Sequence, residues 1–315
     1  MKKILILFIT ITVSLSLEAQ NSINLKLNPE KNRIYRFRSV SEQTVSQTVN
    51  GVSQATESRV SYTMSLKMLE TTPDFIIAEV RFDTLVTITN TMGKVMTISS
   101  LNEGDIGSAE TADILSCIMN RFSKNALYTK IDYSGKPVEI VNAAMIPAIV
   151  LRDTASISLK GAAAEAVRKQ VIETVSEGNL KSMIAMFTHF LPARQVSRGE
   201  KWSINQQLNS GGMALDIISA YRLDDIDGTR ADITTESAIK ATENATPIES
   251  GGATVTYEDL KGMSRASMVV DVNTGLRIEE NSKTHISGNL GISGPGFSMQ
   301  MPMDINGETN IILLQ

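Results

Sequence analysis

An α+β fold is predicted, with a long antiparallel curved sheet, half-barrel-like, made of two pseudo-repeated halves and covered by central amphipathic helices. Three observations predict it. Apolar and polar residues alternate over long runs on either side of the middle of the chain, the period turns helical between those runs, and the landmarks of the first run recur in order in the second. The chain divides accordingly into a leader at residues 1–19, a β-rich half at 20–139, a helical middle at 140–192 and a second β-rich half at 193–315. Residues 20–315 are expected to form one structural unit.

In the first half, Ile34-Tyr35-Arg36-Phe37 opens a strand that continues through Val45 to Val49, and Asn50-Gly51 supplies a tight-turn signal. Val60, Tyr62, Met64, Leu66 and Met68 alternate with polar residues, which puts the large side chains on one face. Thr71-Thr72-Pro73-Asp74 turns the chain, and Ile76, Ala78, Val80 and Phe82 form the next strand. Over residues 108–122 the period becomes helical through Ile114, Leu115, Ile118, Met119 and Phe122, with Ser108 as candidate N-cap. Tyr128 to Asp132 resumes strand character before the turn at Ser134-Gly135-Lys136-Pro137.

The helical middle follows. Residues 142–151 look helical but carry Pro147, which removes a donor and shortens or kinks the run. Ala164, Val167, Val171, Ile172 and Val175 define one stripe, and Leu180, Met183, Ile184, Phe187, Phe190 and Leu191 another. Gly178-Asn179 is read as the break between these two helices, and Pro192 as the stop after the second.

After Pro192 the opening pattern returns. Gly199-Glu200-Lys201-Trp202 leads into a strand as Lys31 to Phe37 does, and Met213, Leu215, Ile217, Ser219, Tyr221 and Leu223 alternate as Val60 to Met68 do. Asp224-Asp225-Ile226-Asp227-Gly228 is read as a turn, and Asp271 to Gly275 echoes Asp132 to Gly135. Matching landmarks in one order suggest duplication. The stretch from Phe297 to Leu314 is read as a hairpin around Asn306-Gly307.

Taken together, Tyr35 at a strand start, the Asn50-Gly51 hairpin, D-x-x-G-K at Asp132 to Lys136, L-P before G-x-x-W at Gly199 to Trp202, and D-x-x-x-G at Asp271 to Gly275 resemble the secreted bacterial proteins grouped as domain of unknown function 6263. The likeness spans nearly all of the chain after the leader. Its motifs are structural punctuation, so it implies a fold and an exported location but no activity and no site residues. Many members of that family look like lipoproteins; here Gln20, not cysteine, follows Ala19, so an N-terminal lipid anchor is not expected.

Export itself is expected from Lys2 and Lys3 ahead of an uncharged apolar run over residues 4–17, ending in Glu18-Ala19-Gln20. The destination is the periplasm or the outside of the cell. The formal net charge of −4 becomes one unit more negative once that leader is lost, which does not favour nucleic-acid binding. One cysteine, Cys117, leaves no intrachain disulfide, and no later stretch is long and apolar enough for a transmembrane span.

Catalytic chemistry is not expected. His189 and His285 have no second ligand at metal spacing, Cys117 has no adjacent base, and Gly291-Ile292-Ser293-Gly294 falls short of a nucleophile elbow. Asp224, Asp225 and Asp227 read better as a solvated turn than as a calcium loop, and Gly211-Gly212 and Gly251-Gly252 as turns rather than phosphate cradles. Met299, Met301 and Met303 share one strand face, a soft-metal pattern outweighed by ordinary packing. No cofactor and no metal are therefore assigned. The expected role is a non-enzymatic envelope protein binding a hydrophobic small molecule, such as a lipid or acyl chain, or a partner protein. The expected lining of its apolar cavity is Tyr62, Met64, Leu66, Met68, Met183 and Phe187, between sheet and helices. The alternative is a structural or assembly component of the envelope in which the same residues form a closed core.

Overall fold

The computed structural model describes residues 22–49, 51–153, 168–169, 171–210, 213–243, 245, 247–250 and 253–314. The leader, residues 164–167 and 170 of the helix read at 164–175, and the Gly211-Gly212 and Gly251-Gly252 pairs lie outside the described residues. The protein is mostly β, with one large antiparallel sheet and few helices.

The first half of the sheet comprises β2 (Ile34–Val49), β3 (Val52–Thr71), β4 (Phe75–Thr91), β5 (Lys94–Ser99), β6 (Leu127–Asp132) and β7 (Pro137–Ile140). The second comprises β9 (Lys201–Ser210), β10 (Met213–Asp227), β11 (Arg230–Ala241), β12 (Ile248–Ser250), β13 (Ala253–Asp271), β14 (Leu276–Gly294) and β15 (Phe297–Leu314). Their order is β7-β6-β4-β3-β2-β15-β14-β13-β11-β10-β9, with β5 on β4 and β12 on β13, and the path does not close. At its centre β2 pairs with β15, Phe37 opposite Leu313 and Val45 opposite Ile305, so residues near the two ends of the described chain join the halves. A small separate sheet pairs β1 (Ser22–Leu25) with β8 (Arg194–Ser197).

Alternation decides which face is dry. Tyr35, Phe37, Met64, Leu66, Val80 and Phe82 lie on facing positions of β2, β3 and β4, and all are buried. Against them pack α1 (Thr111–Ser123) and α3 (Glu177–Thr188), while α2 (Met145–Val150) packs on α1. Phe187 of α3 meets Phe37 at 6.1 Å between ring centroids, and Phe122 of α1 stacks on Phe82 at 5.8 Å. Each such fully buried ring contributes roughly 1.5–3 kcal/mol by leaving water. The opposite face carries exposed cross-strand ion pairs, Arg59–Glu42, Lys283–Glu308 and Arg265–Glu236.

Several sequence expectations need correction. Asn306-Gly307 is not a turn, because β15 runs straight through it: Gly307 sits opposite both Gln43 and Thr284, so pairing on two sides overrides the local signal. The reversal occurs instead between Gly294 and Phe297, where Gly296 has φ +84. The acidic run is likewise strand as far as Asp227, with a bulge at Leu223/Asp225 and the turn at Gly228. Two of its three carboxylates are held by arginines, Asp224 by Arg222 and Asp225 by Arg198.

The helices also differ in their ends. Gly178-Asn179 does not break the chain but lies in the first turn of α3, whose N-cap is Ser176, its side chain accepting from the Asn179 N–H. That helix stops at Thr188, short of Leu191, although Phe190 and Leu191 remain buried. Ser108 is not the N-cap of α1; Glu110 holds that position and the Ser108 hydroxyl accepts from the Glu110 N–H one turn earlier. The run around Pro147 shortens to the six residues of α2. Strand β5, entered through Met92-Gly93 at φ +52 and +81, had no apolar alternation to reveal it.

Candidate functional site on the core face

The turns at Asp132 and Asp271 fix the end of the face where the helices lie. In the first, Asp132 Oδ1 accepts from the N–H groups of Ser134 and Lys136, and Gly135 N–H closes the loop on the Asp132 carbonyl at 2.9 Å. In the second, Asp271 accepts from Asn273 N–H and Thr274 Oγ1, and Gly275 N–H returns to the Asp271 carbonyl at 2.7 Å. Both glycines have positive φ and leave no room for a Cβ, Gly135 against the Thr188 carbonyl and Gly275 against the Lys26 carbonyl. The strand-like segment after β1 bridges the two turns, Leu27 N–H to the Tyr133 carbonyl and Asn28 N–H to the Thr274 carbonyl. The C-terminus of α3 docks on the first, Thr188 Oγ1 donating to the Gly135 carbonyl at 2.6 Å.

Beside this end lies a buried ion pair. A bulge between Val269 and Val270 rephases β14, so that Arg277 faces Val270 and Glu280 faces Met268, both on the core side. The Arg277 side chain is 5% exposed and that of Glu280 13%, with Nε and Oε2 3.1 Å apart. That contact is an ion pair rather than an aligned hydrogen bond, since Nε lacks a partner of good geometry. Arg277 Nη1 donates to the Met186 carbonyl of α3 at 3.0 Å, and the guanidinium lies 4.6 Å over the Phe190 ring. Nearby, Trp202 stacks on Tyr221 at 5.6 Å and donates Nε1–H to the Phe190 carbonyl at 2.9 Å, which gives the G-x-x-W motif its structural role. Burial pushes the Tyr221 phenol above its ordinary pKa.

Moving along the strands away from the helices, the same face turns to hydroxyls. Ser41 meets Thr309, Thr284 meets Ser264 and Ser219 meets Ser237 at 3.0, 2.9 and 2.8 Å between oxygens. Thr235 lies in this band with its hydroxyl buried and unpartnered.

Beyond the hydroxyls a second apolar cluster begins: Leu215, Ile239, Leu260, Ile286, Met303 and Ile305, one or two from each of β10, β11, β13, β14 and β15. Among the described residues, every member of it and every partly buried residue packed on it belongs to a strand. Leu260 is seated by a bulge between Glu258 and Lys261, and Asp259 there has φ +52. Glycine at 288 is required opposite, because a Cβ would meet Leu260 Cα at 2.8 Å. The charged, hydroxyl and apolar zones thus succeed one another along β14 from Arg277 to Leu290.

The six residues expected to line a cavity are brought together, but as packed core. Met64, Leu66, Met68 and Phe187 are buried in the first cluster, and Tyr62 and Met183 pack at its margin. Two hollows of about 500 and 360 Å³ are lined by other residues. Sequence reasoning missed Arg277 and Glu280, because their spacing of three in a strand places them on opposite faces unless the bulge is known. Met301 and Met303 are buried on the second cluster's face. His189 is a half-buried residue whose ring nitrogen Nδ1 lies 3.2 Å from Gln206 Nε2, and burial holds its pKa below the usual 6.5. Cys117 is buried in α1, and His285 is exposed on β14 beside Asn306.

The fold and this face define a mostly β protein built on one open antiparallel sheet, with a core face graded from charge to hydroxyl to hydrocarbon. The chain belongs to the Family of unknown function (DUF6263), whose model matches residues 74–277. No curated protein matches it. Among solved structures it is similar to OccK11 (OpdR) of Pseudomonas aeruginosa, at 6% identity over 92% of this chain and 98% of that one, with a TM-score of 0.22. A putative outer membrane lipoprotein-sorting protein domain from Vibrio parahaemolyticus gives 7% over 86% and 83%, TM-score 0.13. A DUF1329 family protein from Desulfovibrio piger gives 10% over 86% and 83%, TM-score 0.12. At such scores none of the three defines the path of this chain.

Proposed function

We propose that this is an exported, non-enzymatic protein that binds the apolar chain of a lipid or acyl compound against the core face of its sheet. The supporting observation is the second cluster. Six large apolar side chains on five strands form one surface with no helical residue among them in the described chain, where the first cluster has α1 and α3. The ligand chain lies over that surface and points its polar end at the hydroxyl band and the Arg277–Glu280 pair, where Thr235 offers an unused hydroxyl. In this reading the sheet is a curved half-barrel, the helices cover its other end, and the two halves descend from a duplicated unit. Duplication is supported by strand order: read from β7 towards β9, each half runs from its last strand to its first.

Native mass spectrometry of protein purified from its own host, with displacement of a fluorescent fatty acid, tests the proposal. Ile217→Arg, on the core face, is expected to abolish uptake, and Ile218→Arg, on the other face and 49% exposed, to leave it intact. No bound lipid and no fatty-acid uptake by the unaltered protein would sink the reading. That result would favour a structural envelope component with a closed core, which the complete burial of Met64, Leu66 and Phe37 also supports.

A further inference from the structure

We propose that the hollow between α1, α2 and the loop at residues 103–104 binds a small oxyanion, a phosphate group. The hollow has a volume of about 500 Å³, and its lining includes Arg121, Lys124 and Arg152 with one acid, Glu103. Arg121 stands in the last turn of α1 with its side chain only 14% exposed. Its Nη1 donates to the carbonyls of Val150, at 3.3 Å, and Arg152, which orients the guanidinium at the C-terminal end of α2. Those carbonyls use one nitrogen of the fork and bring no full negative charge.

The nearest carboxylate among the described residues is that of Asp153, 3.9 Å from Nη2 and itself 68% exposed. Helix capping therefore accounts for Nη1, and among the described residues the other nitrogens meet only the long ion pair to Asp153, which leaves donors of the fork to spare. Lys124, one turn further on, is 62% exposed and 3.9 Å from Glu103, which is 90% exposed. Arg152 is exposed and its side chain has no carboxylate partner among the described residues. Three cations thus line the hollow with one acid, Glu103, and even counting Asp153, which pairs with Arg121, positive charge is in excess there.

The wall is fixed. Gly104 has φ +60, and a Cβ there would run into the Asp113 carbonyl and the Cys117 amide, so the loop lies pressed on α1. A planar guanidinium with two flexible cationic neighbours suits an oxyanion, which takes two parallel hydrogen bonds from the fork.

The phosphate could be free or carried by a lipid headgroup, and the test separates the two. Calorimetric titration of the full chain with inorganic phosphate, at constant ionic strength in chloride, is compared with Lys124→Ala/Arg152→Ala. Both residues are exposed, so the urea midpoint is expected to stay unchanged while phosphate binding weakens at least about tenfold, the loss of one charge-assisted hydrogen bond or more. A parallel arm measures flotation with phosphatidylglycerol vesicles against phosphatidylcholine vesicles. Variant-sensitive binding of free phosphate assigns a soluble ligand; variant-sensitive binding of phosphatidylglycerol vesicles alone assigns a headgroup. Binding of neither, or binding that the double variant leaves untouched, overturns the proposal.

Discussion

Replacing Glu280 by leucine leaves the Arg277 guanidinium in the core with no counter-charge. Arg277 is 5% exposed, its remaining partners are the Met186 carbonyl and the Phe190 ring, and neither neutralises it. Removing one partner of a buried pair costs about 3–5 kcal/mol, because the orphaned charge keeps its full desolvation penalty. With a denaturant slope of about 3 kcal/mol/M, the urea midpoint should fall by roughly 1 M or more. Arg277→Met is expected to be milder, since Glu280 is 13% exposed and keeps some contact with water. The double variant Arg277→Met/Glu280→Leu should recover most of the loss, ending about 1–2 kcal/mol below the parent for the carbonyl left without its donor. Trp202 fluorescence reports unfolding, as its ring stacks on Tyr221 beside the pair. A Glu280→Leu cost under about 1 kcal/mol, or a double variant no better than the sum of the singles, would refute the reasoning.

Three further outcomes follow from geometry. Gly135→Ala must force φ +86 on a residue with a Cβ and push the Thr188 carbonyl away, costing about 3 kcal/mol or more, whereas Gly228→Ala at φ +57 in open space should cost about 1–2 kcal/mol; chemical denaturation compares them. Ser176→Ala removes the N-cap of α3 and should lower stability by about 1 kcal/mol, with hydrogen exchange rising first at residues 177–180. His189 has a folded pKa below 6.5 through burial, so the neutral ring is favoured in the folded state. The unfolded chain then binds its proton first, and stability should fall as pH drops below 6.5 towards the lowered value. His189→Gln should flatten that slope, and an unchanged slope would count against burial as its cause.

How much of this was legible depended on whether a local signal met a competing partner. The face through Met64, Leu66 and Phe82 was readable because period-two alternation and burial agree there. The Asp132 and Asp271 turns were readable because an aspartate and a glycine must hold those positions to close them. Asn306-Gly307 misled because turn propensity is local, and the neighbours that straighten it, Gln43 and Thr284, are distant in sequence. The stretch from Val52 to Arg59 is strand despite its polar composition, since pairing with β2 and β4 supplies its hydrogen bonds without an apolar face. The ion pair of the candidate site was invisible for another reason: a one-residue bulge, carried by no residue type, decides which face Glu280 occupies.

The seam between β2 and β15 sets the order in which the molecule can be finished. Gln47 lies opposite Met303, 256 residues further on, so β2 waits with a bare edge of amides and carbonyls until β15 has been synthesised. Loss of β15 would therefore open the sheet in its middle rather than trim its border, leaving two sticky rims facing each other.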